Sequence, residues 1–439
     1  MSQPPTSQKY RLETLAIHAG ANPDPSTGSC SIPVHRTSAY QFRNTEHAAN
    51  LFALKELGNI YTRLMNPTTA LLEERCAALE GGAAALGVAS GTTAIHYSII
   101  NICKAGDEIV SANDLYGGTM TMFHDIHPQF NIGTTFVDPQ NPENFAKAIT
   151  PKTRAIFVET CGNPALNVPD FAAIADIANA HNLPLVVDNT FATPALCRPI
   201  EHGATVVCDS LTKWMGGHGA GIGGVVVDSG KFNWKDPKFA LYNEPDGSYH
   251  GLRYAHDLGG LSPLAFILRM RLVPLRNLGA CISPDNSWMF MQGMETLSLR
   301  MERHCSNTAA VAKHLKSHPL VKWVKWPGFE DHPTHANAKK YLGGQYGGMV
   351  VFGISGGVEA GRRFIESLKM FRHVANVGDA KSLAIHPATT THSQLDAESQ
   401  LRGGITPELI RLSIGLEHID DILEDVDQAL HAAAGGVAV

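Results

Sequence analysis

One lysine stands apart by its setting. In CDSLTKWMGGHG (residues 208–219), Lys213 follows a short apolar run and two hydroxyl residues, Ser210 and Thr212, and precedes a glycine-rich bend. A lysine that leaves a strand end for a cleft is partly desolvated, which lowers its pKa and supplies the neutral amine that condenses with a carbonyl as a Schiff base. A solvated lysine ahead of a loop is the ordinary reading of such a residue alone. The hydroxyls just before it shift the balance, because they can hydrogen-bond a phosphate held close to the amine.

Upstream, LVVDNT (185–190) is an apolar run closed by Asp188. A capping or turn aspartate is common there. Paired with a Schiff-base lysine, the carboxylate has a sharper role, keeping a pyridine nitrogen protonated. At ~4 Å and an effective dielectric of ~20 that pairing is worth roughly 4 kcal/mol, or about three pKa units, enough to make the ring an electron sink at neutral pH. ASGTT (89–93) runs through glycine into a helical pattern, so amides near Ser90, Gly91 and Thr92 form an anion site at a helix N-terminus, although Ser-Gly-Thr is also a plain cap. Tyr116 in DLYGGT (114–119) can stack on a flat ring or simply pack before a glycine turn. Glu159 and Asn163 close another strand-like run. Four or five polar strand-ends around one lysine favour a pyridoxal 5'-phosphate site over a set of unrelated caps.

The elements that must position these residues follow from the apolar pattern. Runs at 84–89, 107–111, 133–137, 154–159, 184–188, 205–208 and 222–227 read as strands, with helical patterns at 92–102, 142–149 and 169–181 among them. Such alternation predicts an α/β fold with a mostly parallel sheet covered by helices, and ligands at the carboxyl ends of its strands. Residues 1–65 read as a polar, proline-rich arm, and 66–300 as the large domain. Within it, 230–290 is an aromatic and glycine-rich insertion suited to a lid or an interface. Residues 301–439 form a smaller α+β domain with strands near 348–353 and 410–413 and a closing helix, Ile419 to Ala433.

With 439 residues, a burial-sized core is available. A net charge of −6 without basic blocks excludes a nucleic-acid footprint and a polybasic membrane surface. No apolar run approaches the length of a membrane span and the first residues lack a secretory core, so a cytoplasmic protein is expected. The eight cysteines (30, 76, 103, 161, 197, 208, 281, 305) show no C-x-x-C and read as buried thiols. His124 with His127, and His332 with His335, are spaced for one helical face. No cysteine or carboxylate joins them, and no metal site is expected.

VVDNTFATPALCRPIEHGATVV followed by SLTKWMGGHG, with YTRLMNPT, SGTTA, LYGGT and ETCGNP, resembles the Cys/Met-metabolism family of pyridoxal-phosphate enzymes from about residue 11 to 432. The resemblance implies the type I PLP-dependent transferase fold. It makes Lys213 the Schiff-base residue and Asp188 the partner of the pyridine nitrogen, with Tyr116 on the ring and Ser90, Gly91, Thr92, Ser210 and Thr212 around the phosphate. Tyr61 and Arg63 match positions that reach the phosphate of a neighbouring subunit, implying a homo-oligomer of dimers that share active sites, a tetramer in the expected assembly. Asn163, Ser382 and Arg411 match the substrate-carboxylate positions, a task that suits a guanidinium; without the resemblance, Arg411 reads as an ordinary strand arginine.

Two departures narrow the activity. Lyases and cystathionine-forming members typically read Ser-Leu-Gly-Gly where this chain has Lys381 to His392, and methionine γ-lyase-like members carry cysteine at the place of Gly118. The 230–290 insertion and DAKSLAIHPATTTHSQL (379–395) resemble the O-acetylhomoserine sulfhydrylase (aminocarboxypropyltransferase) branch. That implies γ-replacement: acetate leaves O-acetylhomoserine and sulfide or methanethiol adds, giving homocysteine or methionine, with Lys213 as anchor and acid/base and Tyr116 near the leaving group. The alternatives are a cystathionine γ-synthase, an O-succinylhomoserine sulfhydrylase or a methionine γ-lyase-type activity. A serine hydrolase using Ser355 of GISGG (353–357), with Asp379 and His386 in the required order, is a remote one. A sugar or nucleotide binder lacks a Gly-Lys-Ser/Thr phosphate loop.

Overall fold

The computed structural model describes residues 10–390 and 404–435. The larger sheet has seven strands: β1 (Ala84–Val88), β2 (Glu108–Ala112), β3 (Gly133–Val137), β4 (Thr153–Glu159), β5 (Leu185–Asp188), β6 (Val206–Ser210) and β7 (Gly224–Asp228). Their spatial order is β1-β7-β6-β5-β4-β2-β3. Strands β3, β2, β4, β5 and β6 are parallel, and β7 lies antiparallel between β6 and β1. Each expected strand appears within two residues of its predicted bounds. The valines of β5, β6 and β7 are fully buried, as a sheet covered on both faces requires.

The smaller sheet holds β8 (Val321–Lys325), β9 (Met349–Ile354), β10 (Arg372–His373), β11 (Leu383–Ile385) and β12 (Leu409–Ser413), in the order β10-β11-β12-β9-β8. Only β9 and β12 are the continuous apolar runs that sequence inspection finds. β8 alternates apolar and lysine residues as VKWVK, and β10 and β11 have two and three residues. The Leu297–Ser317 and Gly357–Ser367 helices pack on this sheet, and the closing Ile419–Ala433 helix packs on both of them.

The 230–290 stretch carries no strand, and its aromatic residues belong to the main core rather than to a lid. Trp234 stacks on Tyr242 at 4.4 Å and on Phe266 at 5.3 Å, and Phe239 and Tyr254 are fully buried. Six of the eight thiols are buried; Cys281 is half-buried and Cys30 is exposed, against expectation.

Asn66 ties the N-terminal segment down. Its Oδ1 accepts the Thr68 amide at 2.9 Å, capping the Pro67–Glu80 helix, while its Nδ2 donates to His35 O at 2.9 Å. That helix stops at Gly81, whose φ of 75° is the left-handed conformation that favours glycine. Arg75 fastens the Leu12–His18 helix from inside. Its fully buried guanidinium donates to Ala19 O, Ile17 O and Met291 O at 3.0–3.1 Å. Arg75→Met leaves one buried and two half-buried carbonyls without that donor and should destabilise the fold by on the order of 3 kcal/mol, with faster proteolysis near residue 20. An unchanged unfolding midpoint in a urea titration overturns this account.

Candidate active site

Strands β4, β5 and β6 end side by side, and their last residues, Glu159, Asp188 and Ser210, open onto a cavity of about 250 Å³. Lys213 follows β6 by three residues. Gly91, Thr92, Tyr116, Asn163, Thr212 and Arg411 also line the cavity. One wall, Ala375 to Val377, was not anticipated.

Burial sets the electrostatics. It lowers the Lys213 amine from an ordinary 10.5 to about 8, with the nearby Arg411 charge as a second cause. The Nζ donates to Asn376 Oδ1 at 2.5 Å. Burial raises Asp188, whose Oδ1 accepts the Thr190 amide at 2.9 Å. It also raises Glu159 well above the carboxylate range, helped by the neighbouring Asp188 and Asp114 carboxyls. The Tyr116 amide, at 2.7 Å from Oε1, opposes that rise. Arg411, buried on β12, is lowered to about 10 and donates to Asn163 Oδ1 at 3.4 Å. Among the described residues, neither Asp188 nor Glu159 forms an ion pair with a cation of the chain.

Opposite Asp188, the Gly91–Ile102 helix begins behind Ser90, whose Oγ accepts the Thr93 amide at 3.0 Å. The Ser90 side chain therefore caps the helix and does not line the cavity. At Gly91 a side chain is impossible, because its Cβ would stand 2.5 Å from the Cβ of Ser210. The helix amides thus meet the hydroxyl-bearing segment after β6 at close range, an arrangement that favours an anion.

Three expected site residues lie elsewhere. The Ser382 hydroxyl donates to Glu417 Oε2 at 2.9 Å and accepts the Gly415 amide at 2.9 Å, so it braces β12 from behind instead of facing the cavity. The Arg63 guanidinium lies 5.4 Å over the exposed Tyr61 ring and donates to Arg276 O, and neither residue lines this cavity. The segment facing Lys213 is 375–377, ahead of the 379–395 stretch singled out from sequence, and residues 391–395 of that stretch lie outside the described residues. Asn376 carried little sequence signal. The clue was Gly378: its φ is 75° and an added Cβ would meet the Trp214 amide at 2.6 Å, so this loop runs hard against the lysine segment.

The hydrolase alternative has no assembled triad. Both His386 ring nitrogens are engaged, by Thr389 Oγ1 and Pro407 O at 2.9 Å each, and Asp379 Oδ1 binds the Lys381 amide. The paired histidines do not face one another as ligands but have local partners: His127 Nε2 meets His96 at 3.0 Å, His124 meets Asp125, and His332 and His335 meet backbone carbonyls.

The model of the Cys/Met metabolism PLP-dependent enzyme family matches residues 13–431. The chain belongs to that family. It is 51% identical over 429 residues to an O-acetyl-L-homoserine sulfhydrylase of Leptospira meyeri, covering 96% of this chain and 97% of that protein. A homocysteine synthase of Schizosaccharomyces pombe is 48% identical, over 97% of this chain and 99% of its own. A solved structure of a putative O-acetylhomoserine (thiol)-lyase of Campylobacter jejuni, described with a pyridoxyl-lysine monophosphate, superposes with a TM-score of 0.92 at 40% identity, over 96% of this chain and all of that one.

Membership makes the chain a PLP-dependent enzyme, and the cavity fits the cofactor. A buried carboxyl without a cation, Asp188, can receive a protonated ring nitrogen. The Gly91 and Thr92 amides with Ser210 and Thr212 can hold a phosphate, and Lys213 stands between the two ends. Since the amine's pKa is lowered, it is charged below about 8 and neutral above. In cofactor-free protein, the rate of cofactor capture by Lys213 should therefore rise with pH around a midpoint near 8. Asn376→Asp, placing a carboxylate on the ammonium, should move the midpoint upward. A wild-type midpoint near 10 refutes the burial argument.

Proposed function

We propose that this enzyme catalyses γ-replacement on O-acetyl-L-homoserine, in which sulfide displaces acetate and L-homocysteine is released. Methanethiol is the second nucleophile, giving L-methionine. The observation that carries the reading is one cavity, in a chain of this family, that holds an amine lowered to about 8, an unpaired buried carboxyl and a buried arginine. The similar enzymes of Leptospira meyeri and Schizosaccharomyces pombe, named for O-acetylhomoserine sulfhydrylation and homocysteine synthesis, support the substrate pair.

When bound, pyridoxal phosphate supplies an electron sink that stabilises carbanion character next to the substrate's amino group. The residues of the chain do the rest. Arg411 takes the substrate α-carboxylate with two parallel N–H donors, and Asn163 Oδ1 holds the guanidinium in place. Lys213 carries the cofactor and, once freed, moves protons among the substrate carbons from its Nζ, for which a pKa near 8 is well matched. Asp188 keeps its charge opposite the ring nitrogen. Tyr116 covers the ring, and Gly118 lets it do so: a Cβ at Gly118 would stand 2.5 Å from the Tyr116 Cε1. A cysteine at that place, as lyase-type members carry, would move the ring.

Tyr61 and Arg63, away from this chain's own cavity, complete the phosphate site of a neighbouring subunit. The enzyme is then a homo-oligomer built from dimers, assembled as a tetramer. No helix among the described residues is long and apolar enough to cross a membrane. The thiols, free of disulfides, suit a reducing compartment, and we place the enzyme in the cytoplasm, in methionine biosynthesis.

The purified enzyme, given O-acetyl-L-homoserine and sulfide, should release homocysteine and acetate in equal amounts, and Lys213→Ala should release neither and lose the visible absorption of the bound cofactor. Product from O-succinyl-L-homoserine but not from the acetyl ester would overturn the substrate assignment. Arg411→Ala should raise KM for the ester on the order of 100-fold, about 3 kcal/mol of charge-assisted hydrogen bonding. Asp188→Asn should cut kcat on the order of 1000-fold, the ~4 kcal/mol of its ring pairing, while leaving KM nearly unchanged.

A further inference from the structure

Away from the cavity, the long helix of the smaller domain and the closing helix meet through a group of histidines around one carboxylate. His314 and its C-cap His318 are four residues apart on Leu297–Ser317, and Asp427 and His431 are four apart on Ile419–Ala433. That spacing puts each pair on one helix face. His314 Nε2 and His318 Nε2 lie 3.4 and 3.5 Å from Asp427 Oδ1, and His431 Nδ1 lies 3.3 Å from Oδ2. The donor atoms of His318, Asp427 and His431 all lie within 4.8 Å of one another, the one group of three potential ligands so arranged among the described residues.

We propose that His318, Asp427 and His431 form a site for a borderline divalent cation, Zn2+ above all, that clamps the closing helix onto the end of the long helix, with His314 beside the shared carboxylate. Two imidazoles and a carboxylate, with a water in the fourth position, are a zinc donor set, and tetrahedral bonds of ~2.0–2.1 Å put neighbouring donors about 3.3 Å apart. The His318 and His431 contacts to the two Asp427 oxygens, 3.5 and 3.3 Å, are close to that length. His314 Nε2, 3.4 Å from Asp427 Oδ1, is buried without a hydrogen-bond partner and lies on the same carboxylate. The His318 side chain is mostly buried, so it is held in place facing the Asp427 carboxylate.

Capture exchanges two hydrogen bonds for coordinate bonds: the Leu320 amide to His318 Nδ1 at 3.2 Å and His431 Nδ1 to Asp427 O at 2.8 Å. The His431 and Asp427 side chains, both substantially exposed, have room for the small shift this needs. Sequence inspection passed over the group because its two halves are separated by more than a hundred residues.

The test uses holoenzyme stripped of metal with a chelator and titrated with Co2+, whose tetrahedral complexes absorb in the red, away from the cofactor. Wild type should develop that band at one Co2+ per chain, and Zn2+ should abolish it and raise Tm by several degrees. The double variant His318→Asn, Asp427→Asn, and the exposed single variant His431→Gln, should lose the band and the Tm shift. Their retained cofactor absorbance and homocysteine synthesis would show that they are folded. His124→Gln, outside the group, should behave as wild type. Absence of the band in wild type, or a band of equal strength in folded His431→Gln, overturns the proposal.

Discussion

An amine and two carboxyls withdrawn from water at a single sheet edge set the terms for the rest of the structure. Lys213, Asp188 and Glu159 each lose hydration, and each pKa moves toward the neutral form in response. Charges held that way are costly unless something completes them. The chain supplies partial answers: the Thr190 amide for Asp188, the Tyr116 amide for Glu159 and the Asn376 carbonyl for Lys213. All are neutral dipoles. Among the described residues Asp188 has no cation of the chain beside it, and under the proposed function a protonated pyridine nitrogen would supply one.

The same economy of protons continues one layer down. Along β6, Ser210 turns toward the cavity and Asp209 to the opposite face, where it meets Glu80 of the Pro67–Glu80 helix. Both carboxyls are fully buried and both are raised, Glu80 to about 8. Two buried carboxyls meet only through a shared proton. Burial and mutual repulsion keep the pair protonated in part, and Glu80 Oε1 accepts from Asn189 Nδ2 at 2.7 Å. Asn189 follows Asp188 directly, and its own amide binds Cys208 O. The pair therefore fixes β5 and β6 in register below the residues that face the cofactor cavity.

Much of this was legible in the chain because burial on both faces leaves a plain signature. The valine runs of β5, β6 and β7 marked the sheet, and polar residues closing those runs marked its functional edge. Asp209 carried no such mark: strand alternation hides a buried acid among the same few letters that advertise Ser210 and Lys213. Asn376 was illegible for a different reason. It lies in an irregular segment, HVANVGD, with no periodicity, and reaches Lys213 only because Gly378 permits contact with Trp214. Ser382 read as a ligand from its motif, yet the two oxygens of Glu417, reached through the turn after β12, had already claimed its amide and hydroxyl.

Where the two sheets meet, labour is divided. The residues that would hold the cofactor come from the strand ends and following loops of the larger sheet and from the Gly91–Ile102 helix, whereas Arg411 comes from β12 of the smaller one. Asn163, from the loop after β4, bridges them through a single 3.4 Å contact. A single hydrogen bond through Nη1 leaves the other guanidinium donors free, so under the proposed function Asn163 can keep Arg411 in place while those donors meet a substrate carboxylate, where charge-assisted pairing is strongest.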